Sequence, residues 1–79
     1  MTQSKEQQLA MFGCDVEAEK AYIKTTLTYK FSGASMVITS LLSDVQHHIE
    51  YGDKETARKT VNFVKYLVND EQFMSHKSE

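Results

Sequence analysis

Apolar residues recur at helical spacing through the second half of the chain, and that pattern organises the reading of the rest. Ala34, Ile38, Leu41, Leu42, Val45 and Ile49 fall at steps of three and four, which puts them on one stripe of a 3.6-residue helix. Val37 and His48 stand at its edges, and Ser35, Thr39, Ser43, Gln46 and Glu50 form the opposite face. The pattern repeats after residue 53 with Ala57, Thr60, Val61, Val64, Leu67 and Val68, widened by Phe63 toward Tyr66. Between the two runs, Gly52 suits a left-handed residue that ends a helix and Asp53 an N-cap. These signals predict helices over about 35–51 and 53–70, joined so tightly that they pack as an antiparallel hairpin.

The first half is punctuated less regularly. Residues 1–13 begin polar (TQSKEQQ), finish in the apolar knot Leu9, Ala10, Met11 and Phe12, and close on Gly13, so they are expected to form a flexible N-terminal arm. Asp15 reads as an N-cap, Glu17 and Glu19 suit the positive end of a helix dipole, Lys30 suits its negative end, and Gly33 follows. A helix over about 15–31 is the expectation. Ala21, Ile23, Thr25, Leu27, Tyr29 and Phe31 also alternate with Lys24, Thr26, Thr28 and Lys30 as a strand would. Helix is preferred because its start and stop signals agree and no second strand is evident. That helix would show Val16, Ile23, Leu27 and Phe31 on one side and Ala18, Tyr22 and Tyr29 on the other. The last five residues are expected to fray. The fold class is therefore all-α: a small three-helix domain over residues 14–79, built on an antiparallel helical hairpin.

Length changes this picture more than composition does. A chain of 79 residues buries only about 60% of its unfolded surface. Tyr22, Tyr29, Phe63 and Tyr66 exceed what three short helices hide, so a homo-oligomer is expected. Nine basic against eleven acidic residues give a net charge of −2, which argues against strong unspecific attraction to nucleic acid or anionic lipid. The single cysteine, Cys14, cannot form an internal disulfide, and no basic-then-apolar leader precedes it, so a reducing, cytoplasmic setting is expected. Apolar runs are too short to span a membrane.

Gln8, Leu9, Ala10, Met11 and Phe12 form the most specific short string. QLAMF resembles the pentapeptide by which many bacterial replication and repair proteins dock on the sliding clamp, usually written QLxLF, with Met11 where leucine is usual. The resemblance implies a mobile peptide whose Gln8 hydrogen-bonds at a pocket rim while Leu9, Met11 and Phe12 fill an apolar groove. Beside it stands the plainer reading that this apolar end packs on the chain's own core.

Other constellations carry less. His47 and His48 point about 100° apart on a helix and cannot chelate one ion together. Asp44 and His48 supply only two ligands, so no metal or other cofactor is expected. Cys14 sits beside Asp15 and Glu17, which raise a thiol pKa rather than lower it. No phosphate loop, HExxH or nucleophile elbow occurs, and no enzymatic activity is expected. Lys54, Arg58, Asn62, Lys65 and Asn69 share the outer face of the last helix, with Lys59 adding a charge. Such a face either grips phosphates or is merely solvated. The leading expectation is a small non-enzymatic interaction protein that docks on another protein through Gln8 to Phe12 or the Tyr22 and Tyr29 face. The alternatives are a nucleic-acid binder using Lys54, Arg58, Lys59 and Lys65, and a self-assembling subunit.

Overall fold

The computed structural model describes residues 4–76, and for residues 27–32 the backbone alone. The chain is all-α. Among the described residues five helices follow one another: α1 (Lys5–Phe12), α2 (Val16–Thr25), α3 (Leu27–Tyr51), α4 (Lys54–Val68) and α5 (Glu71–Met74). Among the described residues there is no strand, so the alternation through residues 21–31 does not express itself as one.

The expected arm is the first correction. Over Ser4 to Phe12 the chain is a helix, started by a reciprocal capping box: the Ser4 hydroxyl accepts from the Gln7 N–H at 3.2 Å, and the Gln7 side chain accepts from the Ser4 N–H at 3.2 Å. It ends at Gly13, whose φ of 75° is left-handed and whose N–H donates to the Leu9 carbonyl at 3.0 Å. Eight residues do not hold a helix in water alone, so α1 exists because it is docked.

The second correction concerns the helix expected over about 15–31. It starts as the sequence suggests, with Asp15 accepting from the Glu17 and Ala18 N–H groups. It stops early, at Thr26, where the backbone turns extended. Both threonine hydroxyls there bond back to carbonyls of the last turn, Thr25 to Tyr22 at 2.8 Å and Thr26 to Ile23 at 2.7 Å. Such bonds offer the chain a local alternative to continuing the helix. A second interruption comes at Gly33, within α3, with φ 78° and ψ 179°. Only glycine occupies that region without strain. The break expected near Gly33 is therefore present.

Gly52 serves a different purpose from the one expected. It is not left-handed; positive φ among the described residues belongs to Gly13 and Gly33. Its N–H donates to the His48 carbonyl at 3.0 Å, and a Cβ on it would sit 3.1–3.4 Å from three atoms of His48. A side chain at this position would be crowded by His48, with no demand from the backbone dihedrals. Asp53 caps α4 as expected, accepting from the Glu55 N–H at 2.9 Å.

Packing is shared among all five helices. α3 and α4 make the most extensive contact; α1 lies on α4, α2 on α3, and α5 on both α3 and α4. One cluster holds them together: Phe12, Val16, Ile23, Ala34, Val37, Phe63, Leu67 and Phe73, with Cys14, Ile38 and Leu41 against its edge. Of the last five residues, expected to fray, Ser75 and His76 hold backbone hydrogen bonds, and 77–79 lie outside the described residues. Asp70 caps α5 by accepting from the Phe73 N–H at 3.2 Å, Phe73 is buried, and the His76 carbonyl accepts from the Ala34 N–H at 3.5 Å. Asp70 also pairs with the ammonium of Lys20, tying α5's cap to α2, and both side chains are largely buried. No helix among the described residues is long and apolar enough to cross a membrane.

Two outcomes follow for stability. Gly33→Ala places a Cβ in a glycine-only region and loses about 1–3 kcal/mol, read as a lower midpoint in thermal denaturation. The hydrogen bond from Lys20 holds the Asp70 carboxyl below its ordinary pKa, and the same bond raises that of Lys20. The Asp70 contribution is complete above its unfolded value near pH 4 and is lost as pH falls toward the depressed folded value; that of Lys20 is lost only as pH rises past about 10.4. Asp70→Asn keeps an acceptor for the Phe73 N–H but breaks the pair. Its melting temperature at pH 7 should drop by the equivalent of about 1–2 kcal/mol, and its decline below pH 4 should be shallower than the wild type's.

Candidate functional site

The residues of the Gln8–Phe12 string are divided by α1 into an inner and an outer pair. Gln8 and Phe12, four apart, face inward and are 6% and 8% exposed; Leu9 and Met11 are 52% and 43% exposed. The Gln8 side-chain oxygen Oε1 accepts from the Val16 N–H at 3.0 Å, which satisfies the first backbone donor of α2. Phe12 meets Phe63 and Tyr66 edge to face, with ring centroids 6.2 and 5.5 Å apart and planes inclined by 65° and 60°. The Asn62 amide donates to the Met11 carbonyl at 3.2 Å. As folded, the string does not present Gln8, Leu9, Met11 and Phe12 along one edge, as an extended docking peptide would.

What the docking of α1 creates instead is a groove. Met11 and Phe12 form one wall and Asn62, Lys65, Tyr66, Asn69 and Asp70 the other, around an open hollow of about 550 Å³. Its floor is apolar and aromatic, since Tyr66 is partly exposed between Phe12 and the Lys20 ammonium, which lies 5.6 Å from the Tyr66 ring centroid. Its rim carries two amides, the exposed Lys65 and the carboxylate of Asp70, which is paired with Lys20. Met11 and Phe12 thus share a site with Lys65, which the sequence placed with the cationic face. Lys20 and Asp70 were not legible as site residues; fifty positions separate them, and no local spacing announces their pairing.

The remaining candidates lie elsewhere. Tyr22 is exposed on α2 beside a smaller hollow of about 210 Å³ that also involves Ile23, Val37 and Leu41. The side chain of Tyr29 lies outside the described residues. Lys54, Arg58 and Lys65 are exposed on α4, whereas the Lys59 side chain leans over Gly13, its Cδ 3.3 Å from where a Cβ there would stand. The four cations do not share one face. Cys14 borders a hollow of about 160 Å³ with Phe12, Leu41 and Phe63, and burial, then Glu19, then Asp15 push its thiol pKa up. A thiol so placed is a poor nucleophile. The His47 ring meets those of His48 and Tyr51 at 6.0 and 5.3 Å. Among the described residues, no three His, Cys, Asp or Glu side chains converge as metal ligands would.

Compared with family models, with curated proteins and with solved structures, the chain finds no match.

Proposed function

We propose that this is a small, non-enzymatic interaction protein that binds another protein through the groove between α1 and α4. The architecture read with it is an antiparallel α3–α4 hairpin as scaffold, a reading supported by the two-residue connection and by the largest shared interface. The observation that carries the function is the groove itself: an aromatic floor with a polar, amide-bearing rim, the composition in which interface anchors are found. The partner is a protein segment that seats one bulky apolar side chain against Met11 and Tyr66 and offers a carboxylate to Lys65. A sliding clamp is the most concrete partner that the string suggests, and that version requires α1 to leave its place, since Gln8 and Phe12 are turned inward.

Leu9 and Lys65 separate the two versions, because Leu9 is outside the groove and Lys65 outside the string. Wild type, Leu9→Ala, Lys65→Ala and Met11→Lys are used to capture partners from nuclease-treated lysate, and purified clamp is tested in parallel. Groove binding predicts at least a tenfold loss with Met11→Lys and Lys65→Ala and none with Leu9→Ala, all three melting within about 0.5 kcal/mol of wild type. Loss with Leu9→Ala and retention with Lys65→Ala would transfer the function to the undocked string. Retention by all three would overturn both versions.

Phe12 tests the docked state of α1 directly. Phe12→Ala removes the ring that bridges Phe63 and Tyr66 and should lower stability by about 3–5 kcal/mol, enough to melt much of so small a domain at room temperature. A melting curve indistinguishable from wild type would show that α1 is not held on α4.

A second reading, nucleic-acid binding, is supported by Lys54, Arg58 and Lys65 on the exposed side of α4. It predicts an affinity that falls steeply between low and physiological salt.

A further inference from the structure

The α3–α4 pair has a second side. At 100° per residue, Ala34, Val37 and Leu41 on α3 and Phe63 and Leu67 on α4 point toward the cluster shared with α1, α2 and α5. Leu42 and Ile49 on α3, and Val61 and Val68 on α4, lie some 100° or more around from Val37 and Phe63 respectively, away from that cluster. Val45, Ala57 and Val64 are buried along the seam yet stand outside the cluster, and Ile38 and Val61 are half-buried. Leu42 is 50%, Ile49 59% and Val68 50% exposed. With the connection at Gly52 and Asp53 as the point of reflection, Ile49 falls level with Ala57, Val45 with Val61, Leu42 with Val64 and Ile38 with Val68. These residues form one strip running the length of the pair, and none of them is charged. Within the strip, Val45, Ala57 and Val64 are already buried, and Leu42, Ile49 and Val68 are the members that stand on the outer surface.

We infer that the strip is a homodimer interface, in which two copies lay their α3–α4 pairs back to back as a four-helix bundle. Two observations select a second copy as the occupant. The first is charge. α4 flanks the strip with Lys54, Arg58 and Lys65, while α3 flanks it with Ser35, Thr39, Gln46 and Glu50. A two-fold axis parallel to the helices sets α4 of one copy over α3 of the other and brings Lys54 beside the other copy's Glu50, at the same end. The cationic flank then meets the flank that carries the carboxylate. The second is size. Two helices side by side over the 15 residues of α4 offer a footprint of about 440 Å². Two such footprints total about 880 Å², against roughly 800 Å² from each partner in a standard interface, so the strip suits a weak, transient dimer that we expect to dissociate in the micromolar range. Of the residues that line the docking groove between α1 and α4, Lys65 alone also flanks the strip, so the dimer touches that edge of the groove and leaves Met11, Phe12 and Tyr66 outside the interface.

Sedimentation equilibrium of the full chain from about 1 to about 500 μM spans that range. The wild type should pass from monomer to dimer across it. Leu42→Glu and, separately, Val68→Glu, both at exposed positions on different helices, should remain monomeric throughout with helical circular dichroism unchanged. Lys54→Glu should weaken the dimer at least threefold, and Lys54→Glu with Glu50→Lys should restore it. A wild type monomeric at every concentration would overturn the inference. So would a dimer that Leu42→Glu and Val68→Glu both leave intact, since another surface would then be responsible. Should either variant lose its helical signal, the other supplies the comparison.

Discussion

Leu67 has no exposed surface, and the short elements of this protein depend on the cluster around it. α1 has eight residues, α2 ten and α5 four. None of these lengths sustains a helix in water. Phe12 brings α1 to α4, Val16 and Ile23 bring α2 to α3, and Phe73 brings α5 to both, so each helix is stable only in the company of the others. Caps at Ser4, Asp15, Asp53 and Asp70 fix where each helix begins, which sets which residues face the cluster. Local chemistry decides the boundaries and shared burial decides that the helices exist.

That division explains what could be read from the chain beforehand. The caps at Asp15 and Asp53, the break at Gly33 and the long helices α3 and α4 were legible because each rests on residues within a turn of one another. The box formed by Ser4 and Gln7 is equally local, and it marks α1 in the sequence within a stretch whose polar composition resembles that of a tail. Thr25 and Thr26 are β-prone by type and fall in an alternation, whereas their hydroxyls end a helix. Gly52 does not take the left-handed conformation its place after a helix suggests, and its crowding by His48 shows only in the fold. Periodicity also put Leu42, Ile49 and Val68 on the buried stripe. Period alone does not say how many neighbours a stripe has, and here the neighbours cover only one side of it.

The groove was the least legible part. Its walls come from residues 11–12 and 62–70, which meet only because α1 folds back onto α4. Met11 and Phe12 were singled out for a resemblance that treats them as an extended peptide, and Lys65 for its charge. The tertiary structure gives them a common surface instead. Asp70 completes the rim, and its pairing with Lys20 is one that a sequence shows only once the fold is known.

The two roles open to residues 8–12 compete for the same bonds. In the docked state the Gln8 oxygen is committed to the Val16 N–H and the Phe12 ring to Phe63 and Tyr66. An extended string would have to break both, expose the apolar surface beneath Phe12, and leave the first donor of α2 without its acceptor. Burial of one aromatic side chain stabilises by about 2–3 kcal/mol, and the buried hydrogen bond adds about 1 kcal/mol. Any partner that takes the extended string must supply that difference first, so its apparent affinity is reduced by about two orders of magnitude or more. A partner that takes the groove meets no such cost, because α1 is already in place as its wall.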